Sequence, residues 1–418
     1  MDLFDFIKKS PNAYFAVDTI AKELSAAGYE RLDEKKSWKL KSGKFFVTRD
    51  DSSLIAFTIP QKDIKGFHIV ASHSDSPSFK IKPNPEIKVG DAYVKLNVEK
   101  YGGMIVSSWF DRPLSVAGRV VCDTRSGVKT GLVNIDRDLL VIPSLAIHMD
   151  RNANDGRKFE VQKELLPLFS GTEGDKPDSL ISLICKENKI KESAVLDCDL
   201  FLYNRQEPVC FGENREFIAA PRLDDLQCVY GSLQGFIAAK PQDHVAVYAV
   251  FNNEEVGSET KQGAASSFLS DVLDRICEKF AVSKEERCKL MADSFMISAD
   301  NAHALHPNYQ EKTDPTNKPV LNGGIVIKYN ANQKYTTDAV SAAVMRKLCK
   351  KAGVKVQEYV NPSDIPGGST LGSIATSRVS MNTVDIGLPQ LAMHSAYETA
   401  GAKDTEDLIR VTELFFSE

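Results

Sequence analysis

Five short polar stretches carry the side chains in this sequence that could do chemistry. They supply two candidate ligand imidazoles, His73 and His394, with several carboxylates and no thiolate, and they comprise residues 72–77, 221–226, 252–258, 298–303 and 392–395. Such a donor set is typical of a zinc, manganese or cobalt site. In a two-metal site one carboxylate bridges the ions, and the doublet Glu254-Glu255 offers one ligand and one general base. The set therefore favours metal-assisted hydrolysis.

Each stretch taken alone has a structural explanation. Asp224-Asp225 could cap a helix, Asp300 could form a turn, and His394 could be a buried, hydrogen-bonded histidine. Adjacent glutamates are usually exposed to solvent, but Glu254-Glu255 directly follows an apolar run that is typical of a buried strand. The five stretches together favour a metal site, because their joint occurrence by chance is improbable.

The elements around these stretches should bring them to one edge of a sheet. Apolar runs predict strands at 66–72, 244–251, 294–299, 324–328 and 382–386, after two earlier strands at 43–49 and 53–59. Helical periodicity predicts helices at 16–27, 226–239, 264–279, 338–352 and 404–416. Alternating strands and helices imply an α/β fold with a mostly parallel sheet. Ligands bind such sheets at the carboxyl ends of the strands, where these stretches lie.

The sequence changes character between residues 87 and 211. Short β-branched runs at 92–98, 114–121, 139–142 and 194–203 alternate with Gly, Asp and Asn, and one helix is expected near 178–187. The pattern indicates a β-rich insertion that splits the α/β domain.

Bulk composition excludes several other classes of protein. The 418 residues are enough for two domains, and 52 basic against 57 acidic residues give a net charge of −5, with no footprint for nucleic acid. No apolar run reaches the roughly 18 residues of a membrane span, and the acidic N-terminus predicts no secretion signal. The eight cysteines form no CxxC pair, so we expect reduced, mostly buried thiols and a cytoplasmic location.

Eight stretches of the sequence together resemble the aspartyl aminopeptidase family of dinuclear zinc aminopeptidases. They occur in the family's order at 73–77, 101–103, 109–112, 145–148, 221–225, 253–258, 298–303 and 390–395. The sequence differs from the family pattern at two places. At Leu223-Asp224-Asp225 some relatives have Leu-Asp-Asn, and after the last histidine residues 395–399 differ from the eukaryotic aspartyl-specific form. The family includes members that prefer acidic residues and members that prefer Leu-like residues. The resemblance therefore implies the mechanism but leaves the preferred N-terminal residue open.

The resemblance also implies a role for each site residue. One metal ion would bind His73, Asp224 and Asp300, and the other would bind Asp224, Glu255 and His394, with Asp224 as the bridge. Glu254 would be the general base, and Asp75 would orient His73, as a carboxylate beside a ligating histidine commonly does. The metals are expected to be zinc, with cobalt or manganese as alternatives. A cis peptide between Asp224 and Asp225 is implied as well.

Two further residues are assigned through the resemblance. Lys328 matches a position of the substrate pocket, where its cation could pair with an acidic substrate side chain. Alternatively, it is a lysine at a strand end that points to solvent. His148 matches a histidine that reaches the neighbouring subunit's site and stabilises the oxyanion. Alternatively, it is a histidine at the end of a strand in the insertion.

The implied organisation is a catalytic domain formed by residues 1–85 and 214–418 and interrupted by a β-rich dimerisation domain, residues 86–213. Dimers would assemble into a tetrahedral dodecamer. The substrates would be peptides with a free N-terminus.

One alternative function is that of another dinuclear amide hydrolase, a carboxypeptidase or deacylase. A carboxypeptidase would need an Arg for the substrate carboxylate, whereas an acidic site suits an ammonium group. A second alternative is a non-catalytic scaffold, and the intact Glu254 and five ligand candidates disfavour it.

Overall fold

The computed structural model describes residues 1–172 and 178–418. Residue contacts divide the chain into two compact units. The first unit comprises Met1–Asp75, Pro208–Met393 and Glu398–Glu418, and the second comprises Ser76–Glu207 and His394–Tyr397. The chain therefore leaves the first unit within the first polar stretch, after Asp75, and returns to it at Pro208, before the second stretch.

The N-terminal part of the first unit begins with two helices and continues with four strands. These are α1 (Leu3–Lys9), α2 (Ala13–Ala26), β1 (Glu30–Leu32), β2 (Gly43–Arg49), β3 (Ser53–Ile59) and β4 (Gly66–His73). The side chain of Asn12 begins α2 by accepting the N–H groups of Tyr14 and Phe15. The helix and the three strands predicted in this region are confirmed.

The second unit is built on one antiparallel sheet. Its elements are β5 (Ser78–Val89), β6 (Tyr93–Tyr101), β7 (Leu114–Thr124), β8 (Gly127–Asn134), α3 (Val161–Glu164), β9 (Leu168–Gly171), α4 (Leu180–Glu187) and β10 (Val195–Asn204). The strand order is β8-β7-β10-β5-β6-β9. The predicted strand at 139–142 is wrong, because Leu140 and Val141 form only isolated bridges. These bridges join the segment to Leu114 and Leu168 without extending into a strand.

The C-terminal part of the first unit alternates strands and helices. Its elements are β11 (Val209–Phe211), β12 (Phe217–Ala220), α5 (Leu223–Ala238), β13 (His244–Phe251), α6 (Phe268–Lys279), α7 (Lys284–Asp293), β14 (Phe295–Ala299), β15 (Ala302–His303), β16 (Ile325–Tyr329), α8 (Ala339–Ala352), β17 (Val356–Val360), α9 (Leu371–Arg378), β18 (Asn382–Gly387), β19 (Pro389–Leu391), β20 (Glu398–Gly401) and α10 (Asp404–Ser417). Helix α6 begins later than residue 264, because the preceding loop turns back on itself through a bond from the Ala265 N–H to the Ser258 carbonyl.

A nine-stranded mixed sheet forms the centre of the first unit. Its order is β1-β2-β3-β13-β4-β14-β18-β16-β17. The neighbours β13, β4, β14 and β18 all run parallel to one another. The strands on either side of this group run the other way: β3 is antiparallel to β13, and β16 is antiparallel to β18. The parallel group fixes one edge of the sheet at which four strands end. The fold is thus a mixed α/β fold with a parallel centre.

Helices cover both faces of this sheet. Along β13, Val245, Val247 and Ala249 pack with α6, α7 and α9, whereas Ala246 and Tyr248 pack with α2, α5, α8 and α10. Successive side chains of a strand point to opposite faces, so a strand buried on both sides must be apolar throughout. This explains why β13 appears in the sequence as an unbroken apolar run from Val245 to Phe251.

A smaller five-stranded sheet completes the first unit. Its order is β11-β12-β20-β19-β15. Strands β12 and β20 pair antiparallel, with Ala220 aligned to Glu398. The small sheet leads directly into α5, since only two residues separate the end of β12 at Ala220 from the start of the helix at Leu223. None of the helices in the described residues is long and apolar enough to cross a membrane.

Candidate metal centre

Three neighbouring parallel strands bring the first, third and fourth polar stretches together. Strand β4 ends at His73, which is aligned with Phe251 at the end of β13. Strand β14 ends at Ala299, immediately before Asp300. Beyond β13 the chain turns at Asn253 (φ 64°) and enters a short 3₁₀ helix, Glu254–Val256. The strands therefore deliver these side chains to one edge of the sheet, as the sequence predicts.

The second polar stretch reaches the same place from the start of α5. Arg222, before the helix, adopts a left-handed backbone (φ 59°), and Asp224 has φ −81° and ψ 107°, outside helical values. The peptide bond between Asp224 and Asp225 is cis, as the resemblance implies. In this conformation Oδ1 of Asp224 lies 3.4 Å from Nε2 of His73.

Four buried side chains form a compact group of candidate ligands. His73, Asp224, Asp225 and Asp300 each offer one ligand atom, and these atoms lie within 4.8 Å of one another. His73 also forms such a group with Glu254 and Glu255. Three clustered carboxylates repel one another when they are ionised and buried, and a bound cation would offset that cost. Imidazole nitrogen and carboxylate oxygen donors suit zinc.

The electrostatics of the centre agree with a cation site. Burial alone would lower the pKa of His73, but the surrounding carboxylates, Asp224 foremost, raise it well above its usual value. Burial raises the pKa of Asp225 and of Asp300, and nearby carboxylates reinforce both shifts. Burial likewise raises the pKa of Glu254 to about 8, and the charges of Asp300 and Asp75 add to the effect. Without a cation, the ionised forms of these carboxylates are therefore destabilised by burial and by one another.

Asp75 connects His73 to the glutamate doublet. Nδ1 of His73 lies 3.0 Å from the main-chain oxygen of Asp75 and 3.5 Å from its carboxylate. The two oxygens of that carboxylate accept the backbone N–H groups of Glu254 and Glu255, at 3.2 and 3.1 Å. With a proton on Nδ1, the Nε2 of His73 is available to a metal. Asp75 therefore contacts three of the predicted site residues.

Lys328 lies in the interior, so the alternative of a solvent-facing lysine is wrong. Its side chain is 3% exposed, with Nζ 3.7 Å from Oδ1 of Asp300 and 5.6 Å from the centre of the Tyr335 ring. Burial tends to lower the pKa of Lys328, but Asp300 and Tyr335 outweigh it and raise the pKa. The chain thus places one buried ammonium group beside the carboxylate cluster.

The two remaining predicted residues, His394 and His148, lie outside the first unit. His394 belongs to the segment His394–Tyr397, which is part of the second unit. This segment lies in the loop between the paired strands β19 and β20 of the first unit. His148 is exposed, in a turn closed by the bond from the Met149 N–H to the Ala146 carbonyl. The alternative that His148 stands at the end of a strand is therefore wrong.

Two residues of the centre are not assigned roles by sequence reasoning. Asp225 joins the ligand group, and its Oδ2 accepts the backbone N–H of His73 at 3.1 Å. Glu398 accepts the backbone N–H of Asp224 at 2.9 Å. The pair Asp224-Asp225 draws attention to Asp225, whereas nothing near Glu398 in the sequence marks it, since 174 residues separate it from Asp224.

Comparisons with known proteins place this architecture in a family. The family described as aminopeptidase I zinc metalloprotease (M18) matches residues 6–416. A probable M18 family aminopeptidase 2 of Clostridium acetobutylicum is 46% identical over 422 residues, covering 99% of this chain and 98% of the relative. A protein of the same description from Azotobacter vinelandii is 40% identical over 422 residues, and the match covers 99% of this chain and 97% of that relative.

Solved structures share the fold over the whole chain. Ape4, from the cryo-electron microscopy structure of the Ape4 and Nbr1 complex, is 38% identical with a TM-score of 0.94, covering 100% of this chain and 85% of Ape4. A chain of the mApe1 dodecamer of Saccharomyces cerevisiae is 27% identical with a TM-score of 0.88, and the match covers 99% of this chain and 95% of the mApe1 chain. The chain belongs to the M18 family of zinc metalloproteases and is a metallo-aminopeptidase.

Proposed function

We propose that the centre binds two zinc ions that share Asp224. One ion would be held by His73, Asp224 and Asp300, and the other by Asp224, Glu255 and His394. The observation that carries this proposal is the buried group of ligand atoms around His73, and Asp224 and Glu255 also offer carboxylate oxygens within 4.8 Å of each other. His394 lies in the loop between two strands of the small sheet, and β12 of that sheet leads into the helix that carries Asp224.

The proposed reaction is hydrolysis of the N-terminal peptide bond. Bound zinc would supply Lewis acidity to a water molecule and to the scissile carbonyl. Glu254 accepts a proton from the attacking water and returns it to the departing amine. Burial raises the pKa of Glu254, which makes its carboxylate a stronger proton acceptor than that of an exposed glutamate. Asp75 holds the backbone of Glu254 and so fixes the position of its carboxylate.

The substrate would be a peptide with a free N-terminus. The carboxylate-rich centre suits an ammonium group, and a panel of free and N-acetylated aminoacyl amides tests this directly. We expect hydrolysis of the free amides alone. Turnover of the acetylated amides at similar rates would indicate a deacylase or another amide hydrolase instead.

We further propose that Lys328 favours acidic N-terminal residues. Its ammonium group is buried beside Asp300 and could pair with a substrate carboxylate where solvent does not screen the interaction. Lys328→Ala should therefore lower kcat/KM for Asp and Glu amides at least ~10-fold more than for Leu amides, the minimum expected for losing a charged hydrogen bond. The ratio of rates on one protein sample is the measurement, because any loss of zinc affects both substrates equally.

The matched control for this prediction is Lys334→Ala, which removes an exposed lysine from the loop beyond the same strand. It should change neither rate. Equal losses of acidic and Leu-like activity in Lys328→Ala would contradict a role in specificity and leave Lys328 as a support for the fold.

The proposed assembly is a cytoplasmic homo-oligomer built through residues 86–213. The similar mApe1 of Saccharomyces cerevisiae is a dodecamer, which supports a dodecamer here. We propose that this dodecamer is a tetrahedral assembly of dimers. Exposed apolar side chains around His148, namely Leu145, Ile147 and Met149, are suited to burial against a second copy of the chain.

His148 would then act in the active site of the neighbouring subunit. There it would donate a hydrogen bond to the developing oxyanion, and losing one such donor costs roughly 10²–10³ in kcat. His148→Ala and Glu254→Gln should each be nearly inactive. Co-assembled in one oligomer, the two chains should regain part of the activity, because some sites combine an intact Glu254 with a neighbour's intact His148. Mixed oligomers as inactive as their parents would contradict the shared site.

A further inference from the structure

A buried carboxylate from a distant part of the chain holds the backbone of Asp224. Glu398, the first residue of β20, is 1% exposed, and its Oε2 accepts the Asp224 N–H at 2.9 Å. Strand β20 pairs with β12, which aligns Glu398 with Ala220, four residues before Asp224. The small sheet therefore fixes both partners of this hydrogen bond.

This hydrogen bond supports a stretch of backbone that is not helical. Asp224 and Asp225 both lie outside helical φ and ψ values, although they stand near the start of α5. A buried N–H group needs an acceptor, and a regular helix does not provide one here. Glu398 supplies that acceptor for the Asp224 N–H from another strand.

The hydrogen bond alone does not require a carboxylate at this position. The neutral side-chain oxygen of a glutamine could accept the same N–H. A buried carboxylate is more costly than an amide, and here it bonds the backbone of Asp224, a member of the ligand group. Its charge therefore disfavours the metal-free centre and favours the centre that contains cations.

Resting on the proposed role of Asp224 as a metal ligand, we propose that Glu398 is a positioning residue that sets the zinc affinity of the centre. Glu398 acts through Asp224. It holds the non-helical backbone that turns the Asp224 carboxylate toward His73, and its charge strengthens the attraction for cations. Partners of this kind typically contribute ~10–100-fold to metal affinity or activity.

The test is the variant Glu398→Gln, which keeps the shape and the acceptor but removes the charge. Zinc affinity is measured on metal-stripped protein by competition with a chromophoric chelator, and thermal unfolding is followed with and without zinc. We expect zinc binding to weaken ~10–100-fold, while the Tm of the stripped protein stays equal or rises. A residue that only supports the fold would show the reverse, a lower Tm without zinc and unchanged affinity, and that result would overturn the proposal.

The matched control is Asp404→Asn. Asp404 is also a fully buried carboxylate that accepts backbone N–H groups, from Asn322 at 2.8 Å and Gly324 at 3.1 Å, but neither donor is a proposed ligand. Its zinc affinity should equal that of the wild type. Equal weakening in both variants would overturn the specific role of Glu398.

A second variant separates this inference from the proposed function. Asp224→Asn removes the bridging carboxylate itself, so unchanged zinc binding in that variant would refute the proposed ligand set whatever Glu398 does. If Asp224→Asn loses zinc while Glu398→Gln binds it normally, the ligand set stands and the role of Glu398 is wrong.

Discussion

Glu254→Gln should lower kcat by at least ~10²–10⁴-fold, the range typical of losing a general base. Glutamine has nearly the same size as glutamate and accepts hydrogen bonds, but it cannot take a proton from water. Because Glu254 is not a proposed ligand and Asp75 holds its backbone, the variant should still bind two zinc ions per chain. The measurement is kcat on a free aminoacyl amide, together with the zinc content of the same sample.

Glu259→Gln is the matched control, because it changes an exposed glutamate five residues further along the same loop. Its kcat should equal that of the wild type. Near-normal turnover by Glu254→Gln would show that another group takes the proton, whereas loss of zinc from that variant would make Glu254 a ligand.

Asp224→Asn should be equally damaging for a different reason. One carboxylate would lie in both ligand sets, so its loss should weaken binding of both ions and lower kcat by more than the ~10–100-fold typical of losing an outer partner. Asp224 is buried among carboxylates and next to His73, and removing its charge reduces repulsion in the metal-free protein. We therefore expect the metal-free variant to be as stable as the wild type or more stable.

Zinc titration and thermal unfolding of Asp224→Asn measure both effects. The expected pattern is loss of the stabilisation by zinc without loss of stability when zinc is absent. Loss of a single zinc ion with the second bound at normal affinity would contradict the shared position of Asp224.

Much of the fold follows from the sequence because its central strands are buried on both faces. An unbroken apolar run therefore marks β13 clearly, and β4 is apolar from Phe67 to Ala71 except at His68. Strand β17 was not predicted, because Gln357 and Glu358 interrupt its apolar pattern and its side chains are half-buried. The strands of the small sheet are not predicted either. Each has only two to four residues, and such a segment is too short to show a periodic pattern.

The site was easier to predict than the partners that support it. The polar stretches follow recognisable strands, so their convergence at one sheet edge could be inferred. The burial of Lys328 could not be inferred, because it depends on how β16 pairs with β18. The two strands run antiparallel, and Lys328 directly follows Ile327, which is paired with Ile386. Likewise, the carboxylate of Asp75 binds the backbone of Glu254 rather than only the neighbouring His73, a contact across 179 residues of chain.

The most direct test of a two-zinc aminopeptidase is a zinc titration of the metal-stripped enzyme, followed by hydrolysis of a free dipeptide and of its N-acetylated form. We expect activity on the free dipeptide to reach its maximum at two zinc ions per chain, with no cleavage of the acetylated form at any point. Full activity at one zinc ion per chain, or cleavage of the acetylated dipeptide by the metal-free protein, would contradict the account.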